Sequence, residues 1–223
     1  GSFTAFRDSL QQAIASWDMC LTQDQVDRMW AHFIALRQVN ASFNLTRITD
    51  PVEAAIRHYA DSLALPAWTA SVRWEPRTML DIGTGAGFPA IPVAIVKPGW
   101  TITAIDGRRK KADFVAGFAG GSGLTNLHAS HAHSSEWTAD RLFDLVVSRA
   151  VAKLPEAVRA GERFVADSGR LAVFKTASIY TTERSVGTKA AASGGLLLDG
   201  VFEYQLPFRG DYLRHQLHCF CRR

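Results

Sequence analysis

Cysteine is scarce in this sequence: only Cys20, Cys219 and Cys221 occur among 223 residues. Their number is odd, and their spacing suits neither a disulfide framework nor a zinc site. Cys219 and Cys221 lie two residues apart in an alternating stretch, which predicts that they share one face of a strand. We therefore interpret all three cysteines as reduced packing residues.

Long apolar runs and a secretory leader are also missing. No uninterrupted apolar stretch is long enough to cross a bilayer, and the first residues do not pair a basic segment with an apolar one. These absences predict a cytoplasmic protein without a membrane partner. Because 47% of the residues are hydrophobic, the chain can bury a full core, and we expect one domain with an appendage.

Acidic residues are slightly fewer than basic ones, with 21 Asp and Glu against 25 Lys and Arg, and the formal net charge is +4. The basic residues cluster in GRRKK at 107 to 111 and in RGDYLRHQLHCFCRR at 209 to 223. A solvated surface would explain such clusters, but a phosphate backbone would also be attracted to them. Arg108, Arg109 and Lys110 are therefore candidate nucleic-acid contacts, although charge alone leaves both explanations open.

The first third of the chain has helical periodicity. Residues 3 to 39 place apolar side chains at intervals of three and four, and Thr22 with Gln25 forms a capping-box pattern. A further helix is expected from Pro51, which suits the first helical position, to about Leu65. We interpret residues 3 to 66 as a helical N-terminal extension and residues 67 to 223 as the main domain.

From about Met79 onward, short apolar strands alternate with helix-length segments. This alternation predicts an α/β protein with a doubly wound, Rossmann-like, mostly parallel sheet and a helix between each of the first six strands. The segment LPFRGDY is too short for a parallel crossover, so the last strand should be antiparallel. This strand inventory resembles that of class I methyltransferases. The predicted strands cover about residues 79 to 83, 101 to 106, 126 to 130, 142 to 148, 169 to 174, 196 to 205 and 213 to 220.

Three glycines, Gly83, Gly85 and Gly87, follow the first strand and open a helix in MLDIGTGAGFPAIPVAIV. Glycines let the main chain approach a ligand closely, so the turn predicts a nucleotide-like ligand. A dinucleotide fingerprint needs its third glycine at position 88, where this chain has Phe88. The spacing G-x-G-x-G is instead the form seen in methyltransferases that bind S-adenosylmethionine.

Two aspartates accompany the glycine turn. Asp106 ends the second strand, where a carboxylate can accept hydrogen bonds from both ribose hydroxyls. The alternative is a helix N-cap, which we rank second because strand end and glycine loop agree. Asp81 lies inside the first strand, and we expect it to brace the loop or to face the amino-acid portion of the ligand.

Five segments together resemble the glucose-inhibited division protein B family, the small-subunit rRNA methyltransferases G. They are FNLTRITDP, IRHYADSLAL, LDIGTGAGFPAIPVAIVKP, FDLVVSRAVAKLP and GRLAVFK, in the family's order and at similar spacing. The likeness extends from about residue 40 to the end. It implies methyl transfer from S-adenosylmethionine to N7 of one guanine in 16S rRNA.

The same resemblance implies cofactor contacts at particular positions. They fall on Gly83 and Phe88 of the loop, on Ala132 and His133 after the third strand, and on Arg149 after the fourth. The family usually has Arg-Ala-Glu where this chain has His131-Ala132-His133. A carboxylate that could contact the adenine is therefore absent, although the backbone at Ala132 could still serve.

The residues also fit N7 chemistry when the family is set aside. Guanine N7 carries a lone pair and no proton, so its site needs orientation and desolvation rather than a general base. The fourth strand ends in SRAV instead of the Asn/Asp-Pro-Pro-aromatic stretch of many adenine amine methyltransferases. No cysteine lies near the glycine turn to act as the nucleophile of a pyrimidine C5 methyltransferase.

Two cations at strand ends are the candidate catalytic residues. Arg149 could pair with the cofactor carboxylate or with guanine O6, since its planar fork suits either. We rank a surface ion pair below these roles because Arg149 directly follows a buried strand. Lys175 ends the fifth strand and is a candidate for phosphate or base contact, with a solvent-exposed strand end as the alternative.

A polar group precedes the sheet and includes Asn44, Arg57, His58 and Asp61 as candidate substrate contacts. The last three lie within one helical turn and share a face. This face could close over the target nucleotide, or it could form a hydrogen-bond network between helix and sheet; the sequence leaves both open. The group His128, His131 and His133 lacks a cysteine or carboxylate to complete a metal site, and we predict no metal.

We therefore predict an S-adenosylmethionine-dependent methyltransferase domain that acts as a monomer on 16S rRNA or on the small ribosomal subunit. The alternatives are a non-enzymatic RNA-binding protein of methyltransferase descent, a small-molecule methyltransferase and an NAD-dependent oxidoreductase. Phe88 and the reversed last strand argue against the oxidoreductase.

Overall fold

The computed structural model describes residues 2–149, 153–179 and 181–222, and within helix α2 it leaves the Ser42 side chain undescribed. In this part of the chain, a seven-stranded mixed sheet has the order β3-β2-β1-β4-β5-β7-β6. Strands β1 to β5 are parallel, and β7 pairs antiparallel with both β5 and β6. The predicted fold class and the reversed last strand are confirmed. The strands are β1 (Thr78–Ile82), β2 (Thr101–Asp106), β3 (Leu127–His131), β4 (Phe143–Arg149), β5 (Val165–Thr176), β6 (Leu196–Phe208) and β7 (Asp211–Arg222).

The N-terminal helices begin and end where local chemistry favours it. Helix α1 covers Phe3–Ile14 and α2 covers Gln23–Phe43. The predicted capping box is present: the Thr22 hydroxyl accepts from Gln25 N at 3.3 Å, and Thr22 N donates to Gln25 Oε1 at 2.9 Å. Helix α2 ends at Asn44, whose φ of 49° is left-handed and is tolerated by asparagine.

The third helical region is longer than the sequence predicted. It is α-helical over Pro51–Ala54 (α3), π-helical over Ala55–Ala60 and α-helical again over Asp61–Ser71 (α4). Termination at Leu65 was therefore wrong, since α4 continues through Pro66. A proline inside a helix costs about 3 kcal/mol. The burial of Leu63, Leu65 and Trp68 on this helix offsets that cost. The predicted boundary between residues 66 and 67 lies inside α4. The division between extension and main domain stays a prediction.

Helices cover both faces of the sheet. Helices α5 (Ala90–Val96) and α6 (Arg109–Gly121) pack with the N-terminal helices on one face, around a core that includes Met79 and Leu145. Helices α7 (Leu154–Gly161) and α8 (Thr181–Ser193) cover the other face, where Leu80 and Val146 are buried. The chain changes face between β1 and β4, so the carboxyl ends of these two strands flank a crevice. Such switch points are where open α/β sheets bind ligands.

A tight hairpin joins β6 to β7. Phe208 pairs with Asp211 across a two-residue turn in which Arg209 and Gly210 have φ of 53° and 81°. Two consecutive left-handed residues match the twist of a tight antiparallel hairpin.

Ala150 and Val151 of the SRAV stretch lie outside the described residues. Among the residues that are described, no helix has the length and apolar character that a bilayer crossing requires.

The predicted helix between β3 and β4 is wrong, because residues 132–142 form turns and irregular structure. This segment is anchored by contacts that a helix there would not provide. Arg163 donates to the carbonyl oxygens of Ser134 and Trp137. The Trp137 ring packs against Phe164 with 5.5 Å between ring centroids. Tertiary packing therefore outweighs local helical preference.

Candidate functional site

A cavity of about 600 Å³ lies at the carboxyl ends of β1, β2 and β4. It brings together nine of the residues predicted from the sequence: Gly83, Gly85, Phe88, Asp106, Ala132, His133, Arg149, His58 and Arg108. Nine further residues line it that were not among the predicted contacts: Leu45, Thr46, Ile82, Thr84, Ala86, Ile105, Gly107, Lys111 and Ser134. Ligand contact by the nine predicted residues stays a prediction.

The glycine turn forms the floor of the cavity. Gly83 N and Thr84 N both donate to Ile105 O, at 2.8 and 3.1 Å, which ties the turn to β2. Gly85 has φ of 62°, and a Cβ there would project to within 3.9 Å of Lys111 Nζ. Such a Cβ would occupy space that a ligand can use. Gly87 serves packing instead, since it lies outside the cavity lining and a Cβ there would meet Ile91 Cδ1 at 2.4 Å.

Asp106 connects the turn to the start of α6. Its Oδ2 accepts from Gly85 N at 2.9 Å, and its Oδ1 accepts from Arg108 N at 2.8 Å. The carboxylate therefore braces the glycine turn and accepts a bond from the backbone of Arg108, which is itself the N-cap residue of α6. The predicted ribose contact stays a prediction. Each carboxylate oxygen has a second lone pair, which can accept from a ribose hydroxyl.

His32 holds the same turn from the other side, and no sequence pattern indicated a functional role for it. This fully buried side chain on α2 donates from Nε2 to Ala86 O at 3.0 Å. Its Nδ1 accepts from the Tyr59 hydroxyl at 2.8 Å. Burial lowers the pKa of His32 to about 3, despite the opposing effect of the Ala86 carbonyl. The ring is therefore neutral at physiological pH.

His58 and Phe88 form an aromatic wall. Their rings stack with centroids 4.5 Å apart and planes at 20°. His58 Nε2 bonds the Thr46 hydroxyl at 2.9 Å, which joins the π-helical segment to the loop after α2. Burial, followed by the nearby charge of Arg149, lowers the pKa of His58 to about 3. The wall therefore presents a neutral imidazole to the cavity.

Arg149 is held by a buried carboxylate. Its Nε donates to Asp61 Oδ2 at 2.7 Å, and Nη2 donates to Arg57 O at 2.5 Å. Asp61 Oδ1 also contacts the Tyr204 hydroxyl and His215 Nδ1, each at 2.6 Å. Burial favours the neutral acid, but the charge of Arg149 and the bond to His215 outweigh it and lower the pKa of Asp61 well below its usual range.

The sequence leaves two roles open for the helix face of Arg57, His58 and Asp61. Asp61 turns toward β6 and β7, where its contacts form the hydrogen-bond network that was the alternative to nucleotide closure. Arg57 pairs with Glu53 Oε1 at 2.7 Å and remains 45% exposed. Of the three residues on this face, His58 lines the cavity.

Asp81 supports the helix that follows the glycine turn. It is fully buried, and its Oδ2 accepts from Ala90 N at 3.3 Å. Burial raises the pKa of Asp81 to about 7. Its position fits the expected bracing of the loop.

The remaining predicted residues lie around the cavity or away from it. Lys175 pairs with Glu183 Oε1 at 2.8 Å and lies outside the cavity lining. Asn44 caps α2 beside Leu45. Arg109 and Lys110 are exposed at the start of α6, next to the lining residues Arg108 and Lys111. In the described parts of the chain, no group of three or more His, Cys, Asp or Glu side chains could hold a metal ion.

The fold and the cavity together define the class of protein. A glycine turn after β1, a carboxylate at the end of β2 and a reversed β7 are the features of a Rossmann-like methyltransferase that uses S-adenosylmethionine. The open space over Gly85 and the acceptor lone pairs of Asp106 fit this cofactor. The model of the family described as rRNA small subunit methyltransferase G matches residues 25–197. The chain belongs to this family.

Curated relatives agree over most of the chain. Ribosomal RNA small subunit methyltransferase G of Bordetella avium is 36% identical over 168 residues, which cover 74% of this chain and 75% of the relative. The protein of the same name from Lactiplantibacillus plantarum is 30% identical over 211 residues, 92% of this chain and 85% of the relative.

Solved structures share the fold at low sequence identity. Magnesium protoporphyrin IX methyltransferase from Synechocystis, solved with bound S-adenosylmethionine, superposes with a TM-score of 0.61 at 13% identity and covers 92% of this chain and 100% of that one. Ribosomal protein L11 methylase from Lactobacillus delbrueckii gives a TM-score of 0.53 at 16% identity, with 75% and 80% covered. Both likenesses support the methyltransferase fold.

Proposed function

We propose that this protein transfers a methyl group from S-adenosylmethionine to N7 of a guanine in 16S rRNA. The observation that carries the proposal is one cavity in which the glycine turn, Asp106 and the fixed guanidinium of Arg149 meet. The RNA substrate follows from the family, whose members are named for the small-subunit rRNA.

The reaction requires the protein mainly to hold guanine N7 in line with the methyl group. The N7 lone pair forms a bond to the methyl carbon as the carbon–sulfur bond breaks, and positive charge passes from sulfur to the guanine ring. No proton has to be removed. In-line placement of reactants can supply about 7–11 kcal/mol in well-oriented systems. Gly83, Phe88 and Arg149, which line the cavity, would supply that orientation.

Arg149 is the residue best prepared to orient a ligand. It has five N–H donors, of which two are used by Asp61 and Arg57. The remaining donors can bind the carboxylate of S-adenosylmethionine or guanine O6. His58, neutral at physiological pH, adds no positive charge beside the developing charge on guanine. Lys175, which pairs with Glu183 and lies outside the cavity lining, stays a candidate for phosphate contact.

The decisive experiment is methyl transfer to rRNA from a strain that lacks this protein. Purified protein, labelled S-adenosylmethionine and either free 16S rRNA or 30S particles would be incubated, and the modified nucleoside identified by mass spectrometry. We expect 7-methylguanosine in 16S rRNA. Binding of S-adenosylmethionine with no label in RNA would favour a small-molecule methyltransferase. RNA binding without cofactor binding would favour a non-enzymatic RNA-binding protein.

The basic start of α6 should contribute to RNA attraction. Replacing Arg108, Arg109 and Lys110 together with glutamine should weaken RNA binding and flatten its salt dependence. Each lost phosphate contact on a single strand lowers the slope of log K against log salt by about 0.7, so the slope should fall by about 2. Filter binding at several salt concentrations measures this slope.

A matched control separates local contacts from net charge. The variant Arg7→Gln, Arg28→Gln and Arg141→Gln removes the same charge from residues outside the cavity lining. Its slope should stay close to that of the unchanged protein. Equal slopes for the two triple variants would show that the α6 cluster makes no special contact.

We also propose that the protein acts as a monomer in the cytoplasm, with residues 3–66 serving as an N-terminal extension of the methyltransferase domain. The location follows from the proposed substrate, since ribosomal RNA is modified in the cytoplasm of bacteria.

A further inference from the structure

Phe43 is an exposed aromatic residue that shortly precedes a cavity-lining stretch of the chain. It is the last residue of α2 and is 48% exposed. Leu45 and Thr46, two and three residues further along the chain, line the cavity. The exposed ring of Phe43, close in the chain to these lining residues, is therefore available for a base to stack on.

A lysine lies against the same ring. Lys110 Nζ is 4.4 Å from the centroid of Phe43. Lys110 is exposed and directly precedes Lys111, which lines the cavity, while Arg108 lines it on the other side of Arg109. A ring and a cation are thus held together by two elements that both reach the cavity.

This pairing has the chemistry of a single-stranded RNA contact. Proteins bind unpaired bases by stacking them on aromatic side chains, and cations nearby attract the phosphates. Every base has a flat face, so such stacking tolerates any sequence next to the target. A simple packing role explains the pair less well, because both side chains remain exposed.

We propose that Phe43 and Lys110 form a platform on which the nucleotide next to the target guanine stacks while the guanine enters the cavity. This proposal rests on the proposed function and deepens it. It assigns the substrate to RNA that is unpaired on at least one side of the guanine.

The test uses Phe43→Leu, which keeps apolar bulk but removes the flat ring, and Phe43→Trp, which keeps a ring. The probe is a fluorescently labelled single-stranded oligoribonucleotide with one guanine, and a second copy has abasic positions on both sides of that guanine. Fluorescence anisotropy gives each dissociation constant. Leu142→Ala is the control, since Leu142 is 52% exposed and directly precedes β4, outside the cavity lining.

We expect Phe43→Leu to weaken binding of the intact probe by about 5- to 150-fold, the range of one lost stacked base. Phe43→Trp and Leu142→Ala should bind like the unchanged protein. The abasic probe should bind both the unchanged protein and Phe43→Leu with the same reduced affinity. The salt slope should be unchanged in Phe43→Leu and should fall by about 0.7 in Lys110→Gln.

The outcomes separate the two proposals. If the unchanged protein neither binds RNA nor methylates rRNA, the proposed function fails, and the platform fails with it. If it methylates rRNA and Phe43→Leu binds the intact probe as tightly, only the platform is overturned. Equal loss in Phe43→Leu and Phe43→Trp, with equal binding of S-adenosylhomocysteine by calorimetry, would also overturn it, since stacking would then not be the cause.

Discussion

Replacing Asp61 with asparagine should reduce the free energy of unfolding by about 3–5 kcal/mol, the usual result of removing one partner from a buried ion pair. Asp61 is 3% exposed and bonds Arg149, Tyr204 and His215. The amide keeps the shape but loses the charge, so the guanidinium of Arg149 would stay buried without compensation. Because small proteins are stable by only about 5–15 kcal/mol, the change should be plain in urea denaturation.

Two variants separate the buried pair from surface charge. Asp140→Asn removes a carboxylate that is 84% exposed and lies 3.7 Å from Arg141, and it should change stability by less than about 1 kcal/mol. The double variant Asp61→Asn with Arg149→Met removes both buried charges and should recover part of the loss. A loss in Asp61→Asn no larger than that in Asp140→Asn would contradict a stabilising role for the network.

The same residue predicts how stability depends on pH. The pKa of Asp61 is lower in the folded protein than the value of about 3.9 expected in the unfolded chain. Its contribution is therefore complete above that unfolded value and is lost as the pH falls toward the folded pKa. The denaturation midpoints of the unchanged protein and of Asp61→Asn should stay equally far apart from about pH 7 to about pH 5 and should converge as the pH falls below about 4. If the two midpoints stay equally far apart below about pH 4, the charge of Asp61 does not contribute to stability.

The sequence predicted the sheet and much of the cavity because their signals are local. The glycine spacing at Gly83, Gly85 and Gly87 and the carboxylate of Asp106 come at strand ends, and parallel strands end at one edge of the sheet. Helix starts such as Thr22 were also local and were predicted. Each of these predictions depends on residues that are close together in the chain.

The parts that the sequence missed depend on distant partners. His32 lies 54 residues from Ala86, whose carbonyl it holds, and a lone histidine on an apolar helix gives no sign of that contact. The sequence offered a helix-to-sheet network at Asp61 as one of two alternatives, but it did not identify the partners Tyr204 and His215, which lie 143 and 154 residues away. The segment between β3 and β4 lacks its predicted helix because Arg163 and the Trp137 contacts fix another conformation. Such pairings are decided by the tertiary fold.

Replacing Asp106 with alanine should raise the dissociation constant for S-adenosylhomocysteine by about 100- to 10,000-fold. A hydrogen bond to a charged group contributes about 1.5–3 kcal/mol, so two ribose hydroxyls would contribute about 3–6 kcal/mol. Titration calorimetry measures the constant without turnover. Asp113→Ala, on the exposed face of α6, is the control and should bind within about twofold of the unchanged protein.

Asp106 also braces the glycine turn through Gly85 N, so the loss of affinity alone would not identify a ribose contact. A ligand that lacks the ribose 2′-hydroxyl resolves this. The 2′-deoxy analogue of S-adenosylhomocysteine should bind the unchanged protein about 10- to 100-fold more weakly than the parent ligand, whereas Asp106→Ala should hardly distinguish the two. If both proteins discriminate equally, Asp106 acts only by shaping the turn. If neither the variant nor the analogue loses affinity, the carboxylate at the end of β2 makes no contact with the ribose, and the cofactor lies differently in the cavity.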